Sequence, residues 1–560
     1  MDSKAEGVGP GEKLVYQVLA EAFAAEGVDH QFLLMGDGQM MWATAMDAIP
    51  GMRSVDARHE HCAVMEAVGY HFATGKVGVA STTNGPGFTQ IITALTGAVQ
   101  GRVPLVVFVA DSPLNRRWVN QHADEATLTL ATGARFIAAH STALMQDYVQ
   151  EAFYTARFER RPVVLSVPHD LMTKKASVRK PYVPSSALLP EVGPMPPSAR
   201  DAERLAERLS TAERPIIIAG RGAMRSGAQQ AIEELAEKSG ALLATTLPAR
   251  GYFDGNPFSI GVAGGYSGSL AAECFGQADF VLAIGASMTF FTTGAGSLFP
   301  QAEVAQIDEE PLGLHHGFKV ADLYVRSDAR LGTEAVAAAL SGGTASTFRT
   351  SEMAQRIADT PADADPAEFD IEPGLLDPRA AVREIDRIVP KDWEIVSGTG
   401  HSARFYAHLR GRRPEQLHML REFGAIGNGL SIAIGVAVAR GNGKVLLLDG
   451  DGSVMMHIQE LEAVARQGIK LLVCALNDGG FGAEIHRLRA LDLDESLAAF
   501  GHPDFAKIAR GFDLAGATIT ELPQFEAAFA EYQAGDRAMI WDARISNRVN
   551  ALSARKGALH

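Results

Sequence analysis

The chain has 560 residues, 47% hydrophobic and 21% charged, a balance that excludes disordered and fibrous proteins and, at roughly 100 to 200 residues per domain, implies about three domains. Its 51 basic and 66 acidic side chains leave a formal charge of −15, which excludes the basic face that nucleic-acid binding needs and leaves small molecules and other subunits as partners. The apolar run 103–110 is far short of the roughly 20 residues of a membrane span. Residues 1–13 carry no apolar leader, and Cys62, Cys274 and Cys474 are isolated, so no membrane association, no disulfide framework and a cytoplasmic location are expected.

Short apolar runs at 77–80, 105–110 and 163–167 predict buried strands in a first block. Runs at 214–219, 281–284 and 304–308 predict strands in a second, and runs at 445–448 and 471–476 in a third. Amphipathic stretches between them predict helices, and this alternation implies parallel sheets in α/β layers. The proline-rich residues 181–200 and the acidic, proline- and alanine-rich residues 350–378 read as linkers. The expected domains are therefore 1–180, 195–345 and 375–560, each a doubly wound parallel sheet. Fold class alone gives no function.

Chemistry enters at the end of the strand 445–448. Gly450-Asp451-Gly452-Ser453 follows it, with a helix expected from Ile458 to Arg466, and the next strand ends at Asn477-Asp478. Glycines at a strand end let backbone N–H groups approach phosphate oxygens, and a following helix N-terminus adds its dipole. A diphosphate also calls for a hard cation with oxygen ligands, so Asp451 and Asp478 at the ends of two adjacent strands suit magnesium. Asp451 and Asp478 stand 27 positions apart, whereas Gly36-Asp37-Gly38, which carries the same tripeptide, has Val64 at that distance.

This segment resembles the cofactor motif of the thiamine-diphosphate-dependent enzymes, in the acetolactate synthase and pyruvate decarboxylase group. The resemblance implies magnesium ligands at Asp451, Asp478 and the Gly480 carbonyl, with Gly450, Gly452, Ser453 and Asn477 against the diphosphate. The family usually has Asn where this chain has Asp478, which adds a negative charge. Arg58-His59-Glu60-His61, with Gly69 nine residues after Glu60, resembles the family's pyrimidine-domain motif. Glu60 would then be the carboxylate that activates the cofactor's aminopyrimidine, with Glu66 as its rival. Gly85-Pro86-Gly87 would pass close to a flat ring. Gly424-Ala425-Ile426-Gly427 resembles the segment that bends the cofactor, Ile426 being the wedge and the Gly424 carbonyl an acceptor. Gly398-Thr399-Gly400-His401 resembles the preceding loop, placing Gly400 and His401 at the cofactor.

The resemblance runs the length of the chain: a pyrimidine-binding domain, a Rossmann-like middle domain and a diphosphate-binding domain. In relatives the middle domain binds FAD, binds ADP or holds nothing, and the residues here do not decide among these. Because Glu60 and Asp451 lie in different domains, the cofactor bridges two, and in this family the bridge is made between subunits of a dimer or tetramer. Asp37, 23 before Glu60, and Glu484, seven after Asn477, have the spacing of catalytic carboxylates in 2-oxo acid decarboxylases. His122 falls near a substrate-pocket position of acetolactate synthases. The implied activity is carbon–carbon cleavage or ligation on a 2-oxo acid or 2-hydroxy carbonyl compound. An acyloin or 2-hydroxyacyl-CoA lyase and a catalytically inactive regulatory relative are the alternatives. Plainer roles for these residues are a helix N-cap for Asp37, a solvated helix face for Glu484 and His486, and a loop position for His122. His457 would pack inside the helix.

Overall fold

The computed structural model describes residues 12–176, 178, 181–190, 193–310, 320–361 and 365–555. Residues 1–11 and parts of both expected linkers lie outside the described residues. The fold is α/β: three six-stranded sheets, each parallel throughout and flanked by helices.

The first sheet runs Arg53–Asp56, His30–Leu33, Gly78–Thr83, Leu105–Asp111, Pro162–Pro168, Arg135–Ala138. The third runs Leu417–His418, Glu394–Ser397, Val445–Gly450, Leu472–Asn477, Met539–Arg544, Ala515–Ile519. Numbered along the chain, both have the strand order 2-1-3-4-6-5. The middle sheet, Ser259–Val262, Leu242–Thr245, Pro215–Ala219, Phe280–Ile284, Glu303–Asp308, Leu323–Arg326, has the order 3-2-1-4-5-6 of dinucleotide-binding folds. The central strands are buried on both faces, as their runs of Val, Ile and Leu require. In an open parallel sheet the loops diverge where the strand order reverses, and a crevice opens at the strands' carboxyl ends. In the first and third sheets that point lies between strands 1 and 3.

The two outer domains share one core, centred on helix Glu60–Thr74 crossing helix Gly429–Arg440. Glycines make the crossing close: a β-carbon on Gly69 would stand 2.1 Å from the Ile432 carbonyl oxygen, and one on Gly435 2.0 Å from that of Glu66.

Two local expectations need correction. Residues 350–378 are not linker throughout. Thr350 accepts a bond from the Met353 N–H and caps helix Ser351–Asp359, whose Met353 packs into the middle-domain core. The helix expected from Ile458 instead begins at once as Asp451–Met456, breaks at His457, and resumes as Glu460–Arg466. Asp451 thus occupies the first turn, where a negative side chain meets the positive end of the helix dipole.

Candidate active site

The crevice of the third sheet lies between the end of strand Glu394–Ser397, which runs on into Gly398-Thr399-Gly400-His401, and the end of strand Val445–Gly450. The two loops nearly touch, since a β-carbon on Gly398 would stand 1.8 Å from Asp449 Oδ1. Asp449 is buried, accepts from the Gly450 N–H at 2.8 Å and the Ser453 hydroxyl at 2.7 Å, and is pushed up to about 7 by burial. The Ser453 hydroxyl also accepts from the Gly427 N–H at 2.9 Å. Ser453 therefore ties the Gly424–Gly427 segment to the strand end.

Asp451 and Asp478 are buried and within hydrogen-bonding reach of each other. Asp451 accepts from the N–H groups of Gly452 at 2.8 Å and Gly479 at 2.9 Å, and Asp478 from that of Gly480 at 3.3 Å. Burial pushes Asp451 up to about 6; burial and then the Asp451 charge push Asp478 well above the usual carboxylate range. No lysine or arginine pairs with either among the described residues. Two adjacent buried carboxylates without a counter-charge are costly, and a hard divalent cation with oxygen ligands removes that cost. The pair fits magnesium.

His401 stands beside them. A β-carbon on Gly482 would touch both Asp478 Oδ2, at 2.4 Å, and His401 Nδ1, at 3.1 Å. The His401 ring accepts from the Ala551 N–H through Nε2 at 3.2 Å, so its neutral form carries the proton on Nδ1, which has no partner. Burial, then the His486 and Arg404 charges, hold this imidazole well below its usual range and hence neutral. An orphaned N–H donor beside a cation site fits a phosphate oxygen. His486, expected on a solvated face, is buried with its ring 4.4 Å from that of His401. Asn477 does not face the pair: its side chain is held by Asp542, His502 and the Pro503 carbonyl.

In the first sheet the corresponding crevice is bounded by Asp37, after strand His30–Leu33, and Gly85-Pro86-Gly87, after strand Gly78–Thr83. Gly85 has φ +58°, and a β-carbon there would stand 1.8 Å from the Gln121 carbonyl, so the turn lies against the loop that carries His122. A β-carbon on Gly87 would stand 3.1 Å from Glu60 Oε1. Glu60, half-buried, opens its helix behind the His59 cap, its carboxylate set against the Gly-Pro-Gly turn. His61 then docks the helix on the third domain: Nε2 lies 2.7 Å from Asn428 Oδ1, and the ring stacks on His457 at 4.9 Å. His457 Nδ1 lies 2.9 Å from the Gly427 carbonyl. Ile426 is half-buried, 3.9 Å from where a Gly400 β-carbon would sit. Gly424 has φ +76° with open space beside it.

Three expected catalytic groups lie on exposed ground. Asp37 accepts from Thr83 Oγ1 at 3.2 Å; it is no helix cap, because Gln39 holds that position. His122 Nδ1 is 3.2 Å from Ser112 Oγ, and Glu484 projects from helix Gly482–Ala490. Glu66, the rival to Glu60, is fully buried at the helix crossing with both carboxylate oxygens unbonded. Glu125 was not anticipated. It is buried beneath the Gly-Pro-Gly turn, accepts from the Gly85 N–H at 3.3 Å, and is raised to about 8 by burial and the Asp111 charge. Its only sequence signal was the Asp124-Glu125 opening of a helix. In the middle domain the Gly222 N–H is already bonded to the Gly285 carbonyl at 2.9 Å, so Gly220-Arg221-Gly222 offers that donor to no ligand.

An enzyme that uses a diphosphate-bearing cofactor between two outer domains of like topology is the class this arrangement defines. Residues 14–130 match the thiamine pyrophosphate enzyme N-terminal TPP binding domain, residues 202–338 the central domain, and residues 398–543 the C-terminal TPP binding domain. The chain belongs to the thiamine-pyrophosphate-dependent enzymes, in the acetolactate synthase and decarboxylase group. It is 27% identical to acetolactate synthase 1, chloroplastic, of Oryza sativa subsp. japonica, over 91% of this chain and 81% of that one. It is 26% identical to the acetolactate synthase isozyme 2 large subunit of Escherichia coli (strain K12), over 91% and 92%. With the acetolactate synthase of Mycobacterium avium it shares 27% identity over 92% and 84%.

Proposed function

We propose that the protein catalyses magnesium-dependent carbon–carbon cleavage or ligation on a 2-oxo acid, as a decarboxylase or an acetolactate-synthase-like carboligase. The buried Asp451–Asp478 pair is the observation that carries this reading: it has no basic partner among the described residues to balance its charge, and a cation bound to a diphosphate would supply one. The printed names of the relatives favour ligation.

When bound, the cofactor supplies the electron sink for breaking a bond next to a carbonyl. Asp451, Asp478 and the Gly480 carbonyl would hold the magnesium ion, and His401 Nδ1 would donate to a phosphate oxygen. Ile426 and the Gly424 carbonyl would hold the cofactor's ring portion, and Glu60 would be the acid that exchanges a proton with it. Asp37, His122 and Glu484, on exposed ground, move protons to or from the substrate. Trp118, in the loop that carries His122, and Leu497, after the Asp478 strand end, are 78% and 98% exposed. Such large apolar side chains mark ground that a second copy covers, in a cytoplasmic dimer or tetramer.

Carbon dioxide release and product analysis on a panel of 2-oxo acids, with thiamine diphosphate and magnesium added or withheld, test the reading. Cofactor-dependent release with a ligated product establishes the synthase, and release with free aldehyde the decarboxylase. No release from any acid defeats both and favours acyloin or thioester cleavage.

A further inference from the structure

The carboxyl ends of the first sheet face the cofactor crevice. At its opposite edge, where the sheet meets the middle domain, lies a cavity of about 580 Å³. The segments leading into four strands line it: Val28 ahead of His30–Leu33, Lys76 ahead of Gly78–Thr83, Arg102 ahead of Leu105–Asp111, and Arg160 ahead of Pro162–Pro168. Arg157 adds a fourth cation from the first domain, and Arg225, closing helix Arg221–Arg225, adds a fifth from the middle domain.

Five cations face one carboxylate, Glu26, a formal charge of +4 (5 − 1) on a chain whose total is −15. Glu26 is already committed: it is buried, pairs with Arg157, and accepts from the Tyr182 hydroxyl at 2.5 Å and the Ser185 N–H at 2.8 Å. Arg102 pairs with the exposed Glu310 at 2.6 Å, and surface pairs of this kind exchange readily; Lys76 pairs at 2.5 Å with half-buried Asp29, which the Tyr70 hydroxyl also holds. Arg160 and Arg225 have no ion pair among the described residues. The side chain of Arg225 keeps solvent contact, yet the protein atoms around it, with Arg221, Arg160 and Arg102, hold its guanidinium down to about 10. Cations gathered in this way repel one another, and an anion between them relieves the repulsion.

The wall also limits what the anion is. Gly27 and Gly75 leave it open, with nothing within 4 Å of a β-carbon on either. Of the rings lining it, Phe153 is fully buried with the Arg157 guanidinium over it at 5.3 Å, and His71 is half-buried with Nδ1 2.7 Å from the Lys76 carbonyl. Guanidinium forks match the geometry of phosphate and carboxylate oxygens.

We propose that this cavity binds a small polyanion, a bisphosphate or a polycarboxylate, which joins the first domain to the middle domain through Arg160 and Arg225 at a site separate from the cofactor crevice. Titration calorimetry on the protein saturated with thiamine diphosphate at fixed free magnesium tests it, with propane-1,3-diphosphonate and tricarballylate as probes and acetate as a monovalent control. Saturable binding of at least one probe is expected, weakening with added salt, with no response to acetate. Arg225→Gln and the exposed Arg160→Gln should each weaken it at least tenfold while leaving the melting temperature of the probe-free protein within a degree or two. The preferred probe distinguishes phosphate from carboxylate recognition. Absence of saturable binding by either probe, binding unchanged in both variants, or binding displaced by excess thiamine diphosphate would overturn the proposal.

Discussion

Gly69 in the first domain and Ile432 in the third meet backbone to backbone: a β-carbon on Gly69 would stand 2.1 Å from the Ile432 carbonyl oxygen. No rotamer change relieves that contact, because both atoms belong to helix backbone. Gly69→Ala must push helix Glu60–Thr74 off helix Gly429–Arg440, loosening a core the two domains share. The expected cost is about 3 kcal/mol, at the upper end for overpacking, and Gly435→Ala should match it. Gly227→Ala, at a position with open space and φ +64°, should cost only the backbone strain, about 1 kcal/mol. Denaturant midpoints read all three; equal midpoints for Gly69→Ala and the parent chain would show that the helices are not in contact.

Two acids, Glu66 and Glu460, are buried close to this crossing. Burial, then the Glu460 charge, push Glu66 well above the usual carboxylate range; Glu460 is raised to about 7, first by burial. A carboxyl group whose folded value is raised keeps its proton longer when folded than when unfolded. Its stabilising contribution is complete below the unfolded value, near 4.5, and is lost as pH rises through about 7. For Glu460 alone the loss is on the order of 3 kcal/mol. With cofactor and magnesium present to hold the other acids fixed, Glu66→Gln should melt higher than the parent at pH 8 and show a flatter slope from pH 5 to 8. Parallel slopes for the two proteins would remove Glu66 as a cause.

The Asp451–Asp478 pair was legible through the resemblance of its spacing to the family motif, and the two acids meet because strands Val445–Gly450 and Leu472–Asn477 pair as neighbours and end side by side. The apolar strand runs were legible because strands buried on both faces tolerate little else. Glu66 and Glu460 are 394 positions apart and become neighbours only through a helix crossing that no local pattern announces. Helix Asp451–Met456 was missed because Gly450 caps it without a side-chain bond. Helix Ser351–Asp359 was missed although Thr350 is a regular cap, because the surrounding proline- and alanine-rich composition outweighed it. The common strand order of the outer sheets was invisible, because topology is held by which strands pair and not by a repeated sequence.

Asp478, an acid where the family usually has Asn, sets a balance between the metal-free and metal-bound states. With no cation, burial beside Asp451 makes Asp478 keep a proton that the unfolded chain would release at neutral pH, so Asp478→Asn should stabilise the metal-free protein. The same change removes a charged ligand and should weaken magnesium binding roughly 10- to 100-fold. Asp451→Asn also stands to weaken binding, but it takes an acceptor from the Gly452 and Gly479 N–H groups and should destabilise. Melting temperatures with and without magnesium, read with metal titrations, separate the two. A metal-free Asp478→Asn protein that melts below the parent would show that the buried acid pair does not destabilise the metal-free fold.

Glu60 and Glu66 share one helix and differ in what they touch, which makes a paired test of the activating acid. Glu60 lies against the Gly-Pro-Gly turn on the crevice side, where the pyrimidine ring is proposed to sit; Glu66 is sealed in the helix crossing with no bonded partner. Gln is close to Glu in shape but cannot take up and return a proton. Glu60→Gln should therefore lower kcat by about 100- to 10,000-fold, the usual worth of a positioned acid or base, while magnesium-dependent cofactor binding stays within severalfold of the parent. Glu66→Gln should keep kcat within severalfold and change stability instead. The reverse pattern, turnover lost at Glu66 and kept at Glu60, would move the activating role to the buried acid. Loss of cofactor binding alone in Glu60→Gln would make that residue a binding contact without the proton role.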